Sequence, residues 1–159
     1  MKKNLLTILA AFLFGSAFAQ QADVFTGIDI NLKDNITTIG GKLGFVDNWA
    51  GGYVFYKNSS YSQETVLFNI DSKSNSIGMG MVVMRSNLLF NAGVGWTAIT
   101  SKVTTLMPIP FANVIETDKN NIPVFELGLG VLIDENFIVG ANYFKGTNAI
   151  HFTLKYIWL

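Results

Sequence analysis

Charged and polar side chains recur at alternate positions of otherwise apolar segments, and their types suit ion pairing or proton transfer. The set comprises Asp29, Lys42, Asp71, Glu126, Asn142, His151 and Lys155. A charge that is removed from water must be paired, so we expect Lys42 and Lys155 to bond the carboxylates of this set. The pattern therefore predicts a polar network inside the protein.

His151 is the single histidine of the chain, and Thr153 offers a hydroxyl on the same face two residues later. A base beside a hydroxyl is the core of nucleophilic catalysis, which would suit acyl transfer or hydrolysis on a lipid. A triad needs a third converging group, and no nucleophile-elbow motif is present. We therefore expect no catalytic residue, and keep a lipid-acting enzyme that uses His151 as an alternative.

Composition limits the other chemistries. The chain has one histidine and no cysteine, which makes a zinc site improbable and leaves no lipid-modified cysteine or disulfide. No basic block or stripe exists, so nucleic acid is not an expected partner. We expect neither a metal nor another cofactor.

The first nineteen residues have the pattern of a cleavable export signal. Lys2 and Lys3 precede the apolar run of residues 5–14, and Ala17 and Ala19 give the small-x-small pattern of a cleavage site. Ten residues are too few to span about 30 Å of hydrocarbon. We expect residues 1–19 to be removed and residues 20–159 to form one domain with nine basic and eleven acidic residues.

The mature segment is apolar but contains no membrane-length apolar run. Hydrophobic residues make up 50% of the chain and charged ones 14%, against about 25% charged in a typical soluble domain. From Leu88 onward, large apolar residues alternate with small or polar ones, most clearly over residues 88–98, 124–133, 137–144 and 150–159. A period of two over eight or more residues indicates β-strands. The sequence predicts an all-β protein.

Nine candidate strands can be counted, whereas single-chain bacterial membrane barrels use an even number. The first five are residues 24–32, 37–45, 52–56, 65–71 and 77–83, with a turn at residues 72–75. Either one early run does not span, or two runs are pieces of one strand. We predict an eight-stranded, antiparallel, up-and-down barrel whose register before Tyr61 the sequence leaves open.

The two faces of the strands favour a membrane barrel over a soluble, lipocalin-like one. The face opposite the large residues is rich in glycine, which suits the narrow lumen of an eight-stranded barrel. The apolar face is nearly uncharged and carries two predicted aromatic girdles. The girdle residues are Phe90, Phe137, Tyr156 and Trp158 toward the periplasm, and Trp96, Phe125 and Tyr143 toward the outside.

With its export signal, its alternation of glycine and aromatic residues and its final strand HFTLKYIWL, the chain resembles the small OmpX/OmpA-type outer-membrane barrels. The resemblance implies a monomer in outer-membrane lipid, inserted by the outer-membrane assembly machinery. That machinery recognises a last strand usually ending in Phe, whereas this chain ends Trp158-Leu159. The polar lumen is expected to be plugged, since eight strands leave no free channel, which favours a structural or surface-interaction role.

The long connection from Thr100 to Asn121 is the strongest candidate for interaction with a partner. Connections longer than about 12–15 residues are usually functional or disordered. This one carries Leu106, Met107 and Phe111 together with two of the three prolines, Pro108 and Pro110. It is predicted to extend as a hairpin, fold over the barrel mouth or bind a surface partner by strand addition.

Overall fold

A computed structural model describes residues 23–33, 36–47, 49–65, 68–105 and 116–158. Within them, eight antiparallel strands close into one barrel in sequence order. The strands are β1 (Asp23–Lys33), β2 (Ile36–Asp47), β3 (Ala50–Glu64), β4 (Phe68–Arg85), β5 (Leu88–Thr105), β6 (Glu116–Leu132), β7 (Phe137–Phe144) and β8 (Ala149–Trp158). The predicted export signal, residues 1–19, lies outside the described residues. The described part of the chain has no helix that could cross a membrane.

The prediction of eight strands is confirmed. Nine runs were counted in the sequence because two of them are pieces of one strand. Residues 68–71 of the first run and residues 77–83 of the second both lie in β4, which continues unbroken from Phe68 to Arg85. The turn predicted at residues 72–75 is therefore wrong. Its Ser and Asn residues suit a turn, but each is paired on both sides, with β3 and with β5.

The strands differ in length, and this gives the barrel two unlike ends. The terminal end carries Asp23, Trp158 and the short connections at residues 48–49, 86–87 and 133–136. At the opposite end, the hairpin end, β4 and β5 have 18 residues each while β8 has 10. The excess of eight residues extends roughly 26 Å along a strand. The ends of β3, β4, β5 and β6 therefore form a four-stranded sheet beyond the barrel, which we call the extended sheet.

The extended sheet corrects the predicted loop. Of the segment from Thr100 to Asn121, residues 100–105 belong to β5 and residues 116–121 to β6, and the two are paired as far as Val103 with Glu116. A hairpin extension was one of the three predicted forms. Leu106, Met107 and Phe111 lie outside the described residues, so their proposed contact with a partner stays a prediction.

Interior glycines let large side chains fill the lumen. A Cβ placed on Gly80 would lie 2.5 Å from Cζ of Tyr53, and a Cβ on Gly93 would lie 2.7 Å from the Tyr53 hydroxyl. Gly80 on β4 and Gly93 on β5 are directly opposite each other. The Tyr53 ring thus occupies the space that side chains at these two positions would need.

We expect Gly80→Ala to destabilise the barrel by roughly 1–3 kcal/mol, the usual cost of overpacking. The added Cβ would crowd both the Ala92 carbonyl oxygen and the Tyr53 ring, and Tyr53 cannot move away without leaving its interior contacts. Gly41→Ala is the matched control, since a Cβ on Gly41 would meet nothing closer than 3.9 Å. Urea unfolding of the refolded barrel in lipid vesicles measures both. Equal midpoints for the two variants would contradict the proposed tight fit.

Candidate functional site

Four charged side chains form a closed set of ion pairs in the lumen. Lys42 Nζ lies 2.7 Å from Glu126 Oε1 and 3.3 Å from Asp29 Oδ2. Lys57 Nζ lies 2.9 Å from Asp29 Oδ2 and 2.7 Å from Glu126 Oε2. Each lysine thus contacts both carboxylates, and all four side chains are at most 1% exposed. We call this set the ion-pair cluster.

The ion-pair cluster joins walls of the barrel that are not neighbours. Asp29, Lys42 and Lys57 come from β1, β2 and β3, which are adjacent strands, whereas Glu126 comes from β6. All four occupy inward positions because alternate residues of a strand face opposite sides. The contacts of Glu126 with Lys42 and Lys57 therefore cross the lumen.

Further polar side chains extend the ion-pair cluster toward three more strands. The Tyr53 hydroxyl donates to Glu126 Oε1 at 2.7 Å and accepts from Asn91 Nδ2 at 3.3 Å. Lys155 Nζ donates to Asn91 Oδ1 at 3.2 Å and forms no ion pair with a described carboxylate, so the prediction that Lys155 bonds a carboxylate is wrong. Thr153 donates to Asp29 Oδ1 at 2.5 Å, and Asn142 donates to Thr153. The network thereby includes β5, β7 and β8.

Aromatic rings enclose the lysine ammonium groups. Lys57 Nζ lies 4.4 Å from the ring centroid of Phe144 and 5.7 Å from that of Phe55. Lys155 Nζ lies 5.7 Å from the Phe25 ring centroid. Contact of a cation with a ring face is favourable, more so away from water. The rings fill the space around the charges and stabilise them.

His151 is held inside the same network rather than at an open site. It is fully buried, with Nε2 2.9 Å from the Thr147 hydroxyl and Nδ1 3.5 Å from Lys57 Nζ. Its ring also contacts that of Phe144, with centroids 5.5 Å apart. A general base must reach the proton that it removes from a substrate. The positions of these neighbours favour a structural role for His151.

The residues that the sequence predicts in the lumen are all found there, except Asp71. Asp29, Lys42, Glu126, Asn142, His151 and Lys155 are all buried in the interior. Asp71 was expected in the lumen, but it lies on the outer face of the extended sheet, where it accepts a hydrogen bond from Ser62. The prediction is wrong because β4 is one continuous strand, in which Asp71 lies at an even spacing from the outward Met79 and Met81 and therefore on the same face.

Lys57 and Tyr53 are two residues of the interior network that the sequence analysis does not predict. The candidate strand at residues 52–56 ends before Lys57. The inward positions Tyr53, Phe55, Lys57 and Ser59 nevertheless alternate with more exposed neighbours on β3. Continuing the alternation of inward and outward positions past residue 56 into the polar part of β3 would have predicted Lys57 in the interior.

All seven predicted girdle aromatics point away from the lumen. Phe137, Tyr156 and Trp158 contact one another near the terminal end, with ring centroids 5.0 and 4.9 Å apart. Phe125 and Tyr143 form a pair at 6.0 Å nearer the hairpin end. Phe90 and Trp96 are 49% and 63% exposed on β5. Outward rings thus lie near both ends of the barrel.

Within the described residues, no group of His, Asp and Glu side chains is arranged to hold a metal ion. The nearest approach to such a group is the ion-pair cluster, where each carboxylate already contacts two lysines.

Comparison with known proteins identifies a shared fold. No protein-family model matches the chain, and no curated protein sequence matches it. The crystal structure of Ail, the attachment invasion locus protein of Yersinia pestis, superposes with a TM-score of 0.64 at 17% identity, over 86% of this chain and 97% of that one. Ail in complex with the heparin analogue sucrose octasulfate gives a TM-score of 0.60 at 16% identity, over 86% and 93%. The N-terminal β-barrel domain of Pseudomonas aeruginosa OprF gives a TM-score of 0.47 at 14% identity, over 87% and 98%.

The likeness concerns architecture, since identities are below 20%. This chain has the fold of the small, eight-stranded outer-membrane barrels of the OmpX/OmpA kind. The resemblance found in the sequence is thereby confirmed at the level of fold.

We expect Lys57→Met to destabilise the barrel by about 3–5 kcal/mol, because it leaves Asp29 and Glu126 with one lysine between two buried carboxylates. Lys73→Met, on the exposed face of β4, is the control and should change stability by about 0.5 kcal/mol or less. Urea unfolding in vesicles measures both. If Lys57→Met unfolds at the wild-type midpoint, the ion-pair cluster does not stabilise the barrel.

Proposed function

We propose that this chain is an integral outer-membrane barrel whose lumen is closed and whose role is exercised by the extended sheet outside the membrane. The observation that carries the proposal is the contrast between the two regions. The lumen is filled by charged, polar and aromatic side chains that contact one another, whereas the extended sheet exposes polar and charged groups.

The outward face of the barrel supports a membrane location. Between the two zones of aromatic rings, outward residues are large and apolar, which suits contact with hydrocarbon. Examples on successive strands are Ile28, Leu43, Val54, Met79, Val94, Leu127, Val139 and Leu154. A soluble lipocalin-like barrel would need a polar exterior, whereas the exterior of this barrel is apolar.

The filled lumen supports a structural barrel rather than a pore. Eight strands enclose a space just wide enough for side chains, and here the ion-pair cluster spans it from β2 and β3 to β6. Near the terminal end, apolar residues fill it as well, including Val46, Val82, Leu89, Ile138 and Ile157. An ion would have to displace both layers.

We expect the purified barrel to show no steady ion conductance in planar lipid bilayers, because passage requires the ion pairs to break. Single-channel recording over a range of voltages measures this, with protein-free bilayers as the baseline. A reproducible ohmic conductance that scales with the amount of inserted protein would contradict the closed lumen.

The side of the membrane on which the extended sheet lies can be tested because the chain has no cysteine. Glu64→Cys places a thiol at the hairpin end, and Glu135→Cys places one at the terminal end; both glutamates are exposed. On intact cells, a membrane-impermeant maleimide should label Glu64→Cys and spare Glu135→Cys until the outer membrane is opened. The reverse pattern would invert the proposed orientation, and equal labelling of both would exclude a membrane-spanning barrel.

The outer face of the extended sheet carries three exposed lysines. Lys73 and Lys119 lie in the same row, each opposite Thr100 of β5, and Lys102 lies two residues farther along β5. Two strands in a sheet are about 4.8 Å apart, so Lys73 and Lys119 stand roughly 10 Å apart. None of the three forms an ion pair with a described side chain. Asp71 lies on the same face directly opposite Lys102 and offsets one of these charges. This lysine face therefore favours a negatively charged partner chiefly through Lys73 and Lys119.

A sulfated polysaccharide is the partner class that we propose for the lysine face. Repeated sulfate groups complement lysines at this spacing, and an exposed, unpaired ammonium group attracts anions without losing an internal partner. Ail, which shares the fold, has been crystallised with the heparin analogue sucrose octasulfate. The shared fold alone does not transfer the ligand, so the lysines themselves are the basis of the proposal.

We expect the triple variant Lys73→Ser, Lys102→Ser, Lys119→Ser to bind a heparin fragment about tenfold more weakly than wild type. Three exposed charge contacts of roughly 0.5 kcal/mol each together match the roughly 1.4 kcal/mol of a tenfold change in affinity. Lys145→Ser, in the turn between β7 and β8, is the control. Titration calorimetry at low and high salt measures the effect. Undiminished binding by the triple variant would contradict the assignment.

A further inference from the structure

The turn between β7 and β8, residues 145–148, is attached to the barrel interior by one of its side chains. The Thr147 hydroxyl lies 2.9 Å from Nε2 of His151, which is fully buried. Beside this contact, the Phe144 ring packs against Gly146, where a Cβ would have no room. A turn at the surface of the hairpin end is thus joined to a residue of the lumen.

The other ring nitrogen of His151 faces the ion-pair cluster, with Nδ1 3.5 Å from Lys57 Nζ. A lysine ammonium group has three donors and no acceptor. Lys57 directs two donors toward Asp29 and Glu126, at 2.9 and 2.7 Å, and the third remains for His151. Nδ1 therefore carries no proton. The ring is neutral, and its single proton lies on Nε2, which donates to the Thr147 hydroxyl.

A second proton on the imidazole ring would break its contact with Lys57. That proton would lie on Nδ1 and point at an ammonium group that cannot accept it. Among the described residues, the charged side chains that face His151 from β1, β2, β3 and β6 are Asp29, Lys42, Lys57 and Glu126. Each carboxylate already contacts both of these lysines. The imidazolium would add a third cation to two carboxylates, whereas water outside the barrel would solvate it.

We propose that His151 is an acid-sensitive switch, which holds the β7–β8 turn on the barrel when its ring is neutral and releases the turn when its ring is protonated. The neutral ring bonds both Lys57 and Thr147. The held turn is therefore favoured above the ordinary titration range of imidazole and is lost as the pH falls through that range. Release moves His151 toward water and leaves Lys57 with its two carboxylates. The acidity of the medium thereby alters the surface that the barrel presents at its hairpin end.

The chain has a single histidine, so nitrogen NMR can observe its protonation without ambiguity. The measurement uses the refolded mature protein in nanodiscs of dimyristoyl phosphatidylcholine. At about pH 7.5, we expect a neutral ring with a proton on Nε2 and none on Nδ1. A proton on Nδ1 at that pH would overturn the proposal, because Lys57 would then have no acceptor on His151.

Hydrogen exchange of backbone amides measures whether the turn is held. The Lys145 amide donates to the Phe125 carbonyl at 2.9 Å, and the Asn148 amide donates to the Lys145 carbonyl at 3.2 Å. We expect the protection factors of both amides to fall at least about tenfold from about pH 7.5 to about pH 4.5, since each pH unit of a coupled titration changes an equilibrium by up to about tenfold. The Leu132 amide, which donates to the Asn87 carbonyl at the terminal end, is the internal control and should keep its protection. Unchanged protection of the turn would overturn the switch.

Three substitutions distinguish the switch from a general loosening of the barrel in acid. His151→Gln keeps a donor and an acceptor but takes up no proton, so its turn should stay protected at about pH 4.5. Thr147→Val removes the hydroxyl at similar size, so its turn should already lose protection at about pH 7.5. Thr100→Val, on the exposed face of β5, is the matched control and should behave as wild type. Equal loss of protection in acid by wild type and His151→Gln would contradict the proposal, and so would a fully protected turn in Thr147→Val.

Discussion

Four buried charges on three adjacent strands and one opposite strand determine how this barrel is built. Charges that are removed from water must be paired, and in the ion-pair cluster each lysine meets both carboxylates across the lumen. These contacts require β6 to face β2 and β3 at a fixed height. They also occupy the space through which a solute would pass. The relative placement of the walls, and with it the closed lumen that we propose, therefore follow from one requirement.

Unequal strand lengths determine what the barrel presents outside. β3 to β6 continue well beyond β7 and β8 at the hairpin end. On one side, β6 extends past its pairing with β7, which stops at Glu126 with Phe144. On the other side, β1 extends past its pairing with β8. The short β7–β8 hairpin thus leaves the extended sheet beyond the barrel, and the lysine face that we propose as a binding surface results from that asymmetry.

A lumen of this kind makes a catalytic interior difficult to build. His151 is enclosed by Lys57, Thr147 and Phe144, so its ring nitrogens face protein groups. The extended sheet has the opposite character, because its lysines have no ion-pair partner among the described side chains. The buried groups contact one another inside the barrel, and the exposed lysines are the groups that we propose to meet a partner.

Sequence alone determined the class of fold, because a period of two in hydrophobicity is set by strand geometry and is visible locally. It also gave the correct face for Asp29, Lys42, Glu126 and His151. It misassigned Asp71 because a polar stretch inside β4 resembled a turn and concealed that the strand continues. It could not pair Lys57 with Glu126, which are far apart in the chain, or show that β1 outruns β8. Those features depend on register and on closure of the barrel, which only the tertiary structure decides.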